Sequence, residues 1–198
     1  MPKSAGATVA TRSGEVEVYS GTARGYHWIV VALIAIQIPV GLYMAYRGNV
    51  LNLWDGTTNS LYSAHKIGGV IIFALVMARL AYRLGNGAPK PEPTLEPWQR
   101  TVSEITHWSL YALLLAIPVF GYIGVSAYPA LDIFGLFKLP GLVAPDKVTA
   151  EQAFYLHKLA GYALGLLLAM HIGAALYHHF VRGDNVLARM MPSLLRRR

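Results

Sequence analysis

Cysteine is absent from this 198-residue sequence, which excludes disulfides, iron–sulfur clusters, thiolate zinc sites and covalent cofactor attachment through a CxxCH motif. Charge is scarce as well. Only 14% of residues are Asp, Glu, Lys or Arg, against 55% hydrophobic, a balance unlike that of a soluble domain. None of the four long apolar runs contains a carboxylate, so a proton or metal-ion relay through them lacks its usual acidic partner. Residues 1–25 hold no apolar core of the kind a cleavable signal needs, so the first apolar run is expected to be retained as an anchor.

The apolar residues concentrate in Tyr26–Tyr46, His65–Leu84, Thr106–Ala127 and Phe154–Phe180. Each run is long enough to cross a hydrocarbon layer about 30 Å thick. Backbone groups in lipid must bond within their own segment, so all four are predicted to be helices. The expected fold is therefore an all-α membrane protein, a four-transmembrane-helix bundle. Most of the 17 lysines and arginines fall on the side that holds the two termini, which places both termini in the cytoplasm. The formal charge of +7 then reads as a topology signal, and nucleic acid is not an expected partner. Residues 1–18 are expected to be a disordered cytoplasmic lead-in and 193–198 a basic tail, with the helical domain over 19–192. The loop 85–100, with Pro89, Pro91, Pro93 and Pro97, suits a stiff extended connector. The outer loop 128–153 is expected to carry a short amphipathic piece resting on the membrane.

Histidines in membrane spans are costly and usually functional. His157 and His171 are 14 residues apart, about 40° around a helix and roughly 21 Å along it. The alternating helix directions put His27 at the depth of His171, near the cytoplasmic edge, and His65 at the depth of His157, near the outer edge. Two facing neutral imidazoles are what a six-coordinate b-type haem requires on its iron. Two such pairs predict two haem b groups, held by His27 with His171 and by His65 with His157. Gly69 and Gly161 lie one turn beyond the outer histidines and leave room for a porphyrin face. Arg79, also 14 residues after its histidine His65, is on the same stripe of its helix and is a candidate partner for a haem propionate. His107, beside Trp108, is left over once two pairs form; it reads as an interface residue, or as a replacement for His27. His178 and His179 end the fourth run, where imidazolium suits the helix dipole; their functional reading is proton exchange with a quinone headgroup. A short internal repeat also shows. His27-Trp28 with Ile38-Pro39-Val40 is echoed by His107-Trp108 with Ile117-Pro118-Val119, and His65-Lys66-x-x-Gly69 by His157-Lys158-x-x-Gly161.

These residues resemble the bacterial cytochrome b561 family of small four-helix dihaem membrane cytochromes. The matching pieces are Tyr26-His27-Trp28, His65-Lys66-x-x-Gly69 with Arg79 and Arg83, His107-Trp108, and the run from His157 through His171 and His178-His179 to Pro192. The resemblance covers roughly residues 19–192. It implies a bacterial inner membrane, the same ligand pairing and electron exchange with ubiquinone, with His179 at the quinone site. Some members are similar to superoxide oxidases, which pass an electron from superoxide to quinone. On that reading Lys158, with Lys66, Lys138 and Lys147, draws the anion toward the outer haem. The expected function is transmembrane electron transfer through two b-type haems between superoxide, or another outer donor, and ubiquinone. The alternative is a haem-bearing anchor subunit that passes electrons between a periplasmic redox partner and the quinone pool.

Overall fold

The computed structural model describes residues 6–11 and 14–195. Four long helices dominate it: α1 Gly21–Ala45, α2 Gly56–Asn86, α3 Pro97–Ala127 and α4 Lys147–Tyr177. Each is long and apolar enough to cross a membrane, so the all-α four-helix membrane architecture read from the sequence is the one found. Only 6% of the apolar window of α1, and the same share of that of α4, is buried within the protein. Their exposed Ile, Leu and Val side chains therefore belong against lipid.

The helices outrun the apolar runs because polar caps start them. Ser20 Oγ accepts from the Ala23 N–H at 3.2 Å, Asp55 Oδ1 from the Thr58 N–H at 2.9 Å, and Asp146 Oδ2 from the Thr149 N–H at 2.7 Å. At α3 the cap is the reciprocal half of a capping box: Gln99 Oε1 accepts from the Glu96 N–H at 2.9 Å, with Pro97 at the first helical position. The two aspartates lie between spans. The Thr58 N–H, then the Arg47 guanidinium, holds the Asp55 carboxyl below its usual range. The Thr149 side chain and N–H do the same for Asp146. α2 stops at Gly87, whose φ of 77° is cheap only without a Cβ. α4 continues as a wider π turn, His178–Arg182, ending at Gly183 with φ 64°.

By contacts the chain forms two compact units. One comprises Met1–Trp28, Met77–Ala112 and Leu164–Arg198; the other comprises Ile29–Val76 and Leu113–Ala163. Each of the four helices contributes to both.

In the first unit, β1 Gly6–Thr11 and β2 Gly14–Tyr19 pair antiparallel, with Val9 opposite Val16. Residues 6–11 and 14–18 thus differ from the disordered lead-in expected over residues 1–18, of which 1–5, 12 and 13 lie outside the described residues. The physical reason is that the hairpin has a base to rest on. Val18 is buried with Ala188 and Leu195, and Val9 and Val16 pack against them. Arg189 fastens the arrangement: its Nε donates to Glu17 O at 2.7 Å, its Nη2 donates to Lys90 O, and its Nη1 lies 4.0 Å from the buried Glu92 carboxylate. The backbone N–H of Tyr19 donates to Arg189 O at 3.2 Å. The proline-rich connector is thus tied down at Lys90 and Glu92. Lys3, Arg12, Arg196, Arg197 and Arg198, which contribute to the charge asymmetry, lie outside the described residues.

In the second unit the loop after α3 forms a small ribbon, β3 Asp132–Ile133 against β4 Phe137–Lys138. It turns through Phe134 at φ 55° and Gly135 at φ 71°. The Phe134 N–H donates to the buried Ser63 Oγ at 3.0 Å, and Lys66 Nζ donates to Ala130 O at 2.9 Å and to Asp132 O.

Candidate functional site: two facing histidine pairs

In the second unit, His65 of α2 and His157 of α4 face each other with ring centroids 6.0 Å apart and planes at 78°. Each ring lies on a glycine of a neighbouring helix. A Cβ on Gly41 would stand 2.8 Å from His65 Cε1, and one on Gly121 would stand 2.9 Å from His157 Nδ1. The internal repeat therefore has a counterpart in space: α1 supplies Gly41 to His65 as α3 supplies Gly121 to His157, each glycine just past the Ile-Pro-Val step. His157 Nδ1 bonds to Ile117 O at 2.8 Å, which fixes the ring and leaves its Nε2 for another partner. Gln37, a polar residue in mid-span, donates from Nε2 to His65 O at 2.6 Å.

In the first unit, His171 of α4 faces two rings. His27 of α1 is 6.3 Å away at 69°, and His107 of α3 is 5.3 Å away at 74°. His107 Nδ1 is 3.4 Å from Ser103 Oγ. Arg79 and Arg83 of α2 both lie against Tyr111, at 5.4 and 5.8 Å, and Arg83 also lies over Trp108 at 5.4 Å. Neither arginine forms an ion pair among the described residues. At the end of α4 the buried His178 bonds through Nδ1 to Asp184 Oδ2 at 2.5 Å. That carboxylate lies 3.7 Å from Arg182 Nε and accepts from Thr94 Oγ1 at 3.4 Å. His179 is half-buried beside Phe180, and no hydrogen bond from its ring is found among the described residues.

These arrangements fit haem iron on three observations. Two imidazoles bridged by a metal are separated by two metal–nitrogen bonds of about 2 Å each plus their half-rings, which matches 6.0 and 6.3 Å and makes the 5.3 Å of His107 short. The Nδ1 atoms of His27 and His65 are buried without a protein hydrogen bond, an uncommon state for a ring serving only protein contacts. A Cβ on Gly161 would meet nothing within 4 Å, so space for a flat macrocycle is open beside His157.

The expected ligands His27, His65, His157 and His171 are thus brought together two by two, and Arg79 is in the same unit as His27 and His171. Lys158 is exposed and Lys66 is not free: it caps the ribbon carbonyls. Lys147 is 3.8 Å from Glu151. Sequence reasoning overlooked Gly41, Gly121, Gln37 and Asp184. The Ile-Pro-Val repeat is the available signal for the two glycines; Asp184, with Asn185, falls within the family-like run from His157 to Pro192 without a role of its own, and nothing marks Gln37.

Residues 18–193 match the family model described as prokaryotic cytochrome b561. Similar proteins include cytochrome b561 homolog 2 of Escherichia coli K12, 29% identical over 88% of this chain and 92% of the relative. Cytochrome b561 homolog 1 of the same organism is 30% identical, over 88% of this chain and 97% of the relative. A Yersinia pestis protein named probable superoxide oxidase CybB is 28% identical, over 88% and 96%.

Proposed function

The chain belongs to the prokaryotic cytochrome b561 family of multi-pass inner-membrane, haem-dependent electron-transfer proteins, and we propose that it moves electrons from superoxide, or another outer-side donor, to ubiquinone. The observation that carries this is the pair of imidazole couples at 6.0 and 6.3 Å. His65 with His157 and His27 with His171 would each hold one b-type haem by its iron. When bound, the haems supply the one-electron redox exchange that no side chain here performs.

The chain's own residues do the rest. Ile117 O and Gly121 fix the His157 ring, and Gln37 braces the His65 backbone, so the ligand nitrogens are held before the cofactor arrives. Arg79 and Arg83, without carboxylate partners among the described residues, supply positive charge for propionates. Exposed Lys158, next to His157, attracts an anionic donor on the outer side. Quinone reduction consumes protons as well as electrons. The His178–His179 end of α4 would relay them: Asp184 orients the His178 ring through Nδ1, and the His179 imidazole, with no hydrogen-bond partner among the described residues, would face the headgroup. With both termini in the cytoplasm, these protons come from the cytoplasmic side.

Visible spectra of the purified protein test the premise: reduced-minus-oxidised traces without b-type bands would end it. Stopped-flow addition of superoxide to the oxidised protein tests the rest. Prompt haem reduction that ubiquinone then drains is the expected result. Dihaem spectra with no response to superoxide would instead favour an anchor subunit that serves a protein donor. Sidedness is read separately by protease access to either terminus, or by labelling a single cysteine introduced there.

A further inference from the structure

The first unit holds a groove that the electron path does not use. It has a volume of about 320 Å³, and its walls are Arg24 and Trp28 of α1 and the segment Met190, Met191, Pro192 and Ser193. The Trp28 indole N–H donates to Met190 O at 3.1 Å, which pins the two walls together. Among the described residues, Arg24 is the one charged residue lining it. The protein has 10 acidic side chains, all among the described residues, and none pairs with Arg24. The nearest in this unit by role are already engaged: Glu17 and Glu92 with the Lys90–Arg189 cluster, Asp184 with His178 and Arg182. Arg24 Nε is buried and makes no hydrogen bond.

We propose that this groove binds the phosphate of an anionic phospholipid. Arg24 is in the first turn of α1, the end of the span where headgroups lie, and Trp28 follows it by four residues on the same face. A guanidinium offers parallel N–H donors that suit two phosphate oxygens. The indole, two methionines and a proline beside it suit the glycerol and upper acyl chain. A free phosphate dianion would need more donors than Arg24 and the Ser193 hydroxyl, and the rest of the wall is apolar side chain. A basic pocket at the interfacial end of a membrane helix is the setting in which lipid headgroups are recognised.

Native mass spectrometry of the haem-loaded protein in mild detergent tests this, with phosphatidylglycerol and phosphatidylethanolamine titrated in parallel. The wild type should prefer phosphatidylglycerol about fivefold, the equivalent of one basic contact. Arg24→Gln should abolish the preference and Arg24→Lys should keep it. Ser193→Glu, which puts a negative charge at the groove, should also depress it with haem content unchanged, and decides the matter should Arg24→Gln fail to accumulate. An unchanged preference in Arg24→Gln or in Ser193→Glu overturns the proposal. So does displacement of the lipid by inorganic phosphate, which would indicate a free-anion site. So does a shifted haem potential in Arg24→Gln with lipid preference intact, which would assign the arginine to a haem propionate.

Discussion

Gly121→Ala is the most informative single change, because it moves one ligand ring without removing any ligand. The added Cβ would stand 2.9 Å from His157 Nδ1 and 3.0 Å from Cε1, inside any normal carbon contact. The ring has little freedom to retreat, since its Nδ1 is held by Ile117 O at 2.8 Å. Either the helices part locally, an overpacking cost of about 1–3 kcal/mol, or the ring swings and loses that bond. Loss of such an outer partner typically lowers metal affinity about 10–100-fold. Both routes weaken the His65–His157 site and leave the His27–His171 site alone. The assay is haem per chain by the alkaline pyridine method, with a redox titration to show which site has emptied. The expected outcome is loss of one of two haems at limiting haem supply, relieved by excess. Gly173→Ala is the control: its Cβ meets nothing within 4 Å, two residues beyond His171 and on the opposite face of the helix. A Gly121→Ala protein with two haems and unaltered potentials would refute the claim that this glycine seats the ligand ring.

His65→Ala should remove about one haem per chain while the protein remains in the membrane, which haem quantification on detergent extracts will show. Asp184→Asn should slow quinone-dependent reoxidation with both haems retained, because the His178 ring loses the carboxylate that orients it; an unchanged reoxidation rate would count against the proton role. Lys158→Gln should lower the rate of superoxide-driven reduction and flatten its salt dependence but leave dithionite reduction unaffected. The Asp55 and Asp146 carboxyls sit below their usual range, so their cap contributions are complete above the ordinary carboxylate pKa. They fade only as pH falls through the depressed values, and hydrogen exchange at the starts of α2 and α4 should accelerate there and not near neutrality.

The fold was legible because its physics is one-dimensional. Four apolar runs and the demand that backbone groups in lipid satisfy themselves leave little choice, and the caps at Ser20, Asp55, Glu96 and Asp146 are local signals. The histidine couples were legible for the same reason, since depth along a helix can be counted from sequence. What stayed hidden depends on the direction of neighbours. Gly69 and Gly161, expected to leave cofactor room, are open or nearly so: a Cβ would meet only Gln37, at 3.9 Å, and nothing within 4 Å, respectively. The glycines pressed against the rings are Gly41 and Gly121, on other helices. Lys66 reads in the sequence as one of the lysines that attract an anion, but the ribbon carbonyls of Ala130 and Asp132 take up its ammonium. The hairpin was missed because Val9, Val16 and Val18 make a weak strand pattern until Ala188 and Leu195 give them a surface.

That surface has a consequence for biosynthesis. The strands Gly6–Thr11 and Gly14–Tyr19 are translated before all four helices, whereas Arg189 and Leu195, which they lean on, are translated after them. The hairpin therefore remains unsettled until the segment beyond α4 has been made, whatever the helices have done meanwhile. A change that removes Arg189 or Leu195 would be felt at the hairpin, four helices away along the polypeptide.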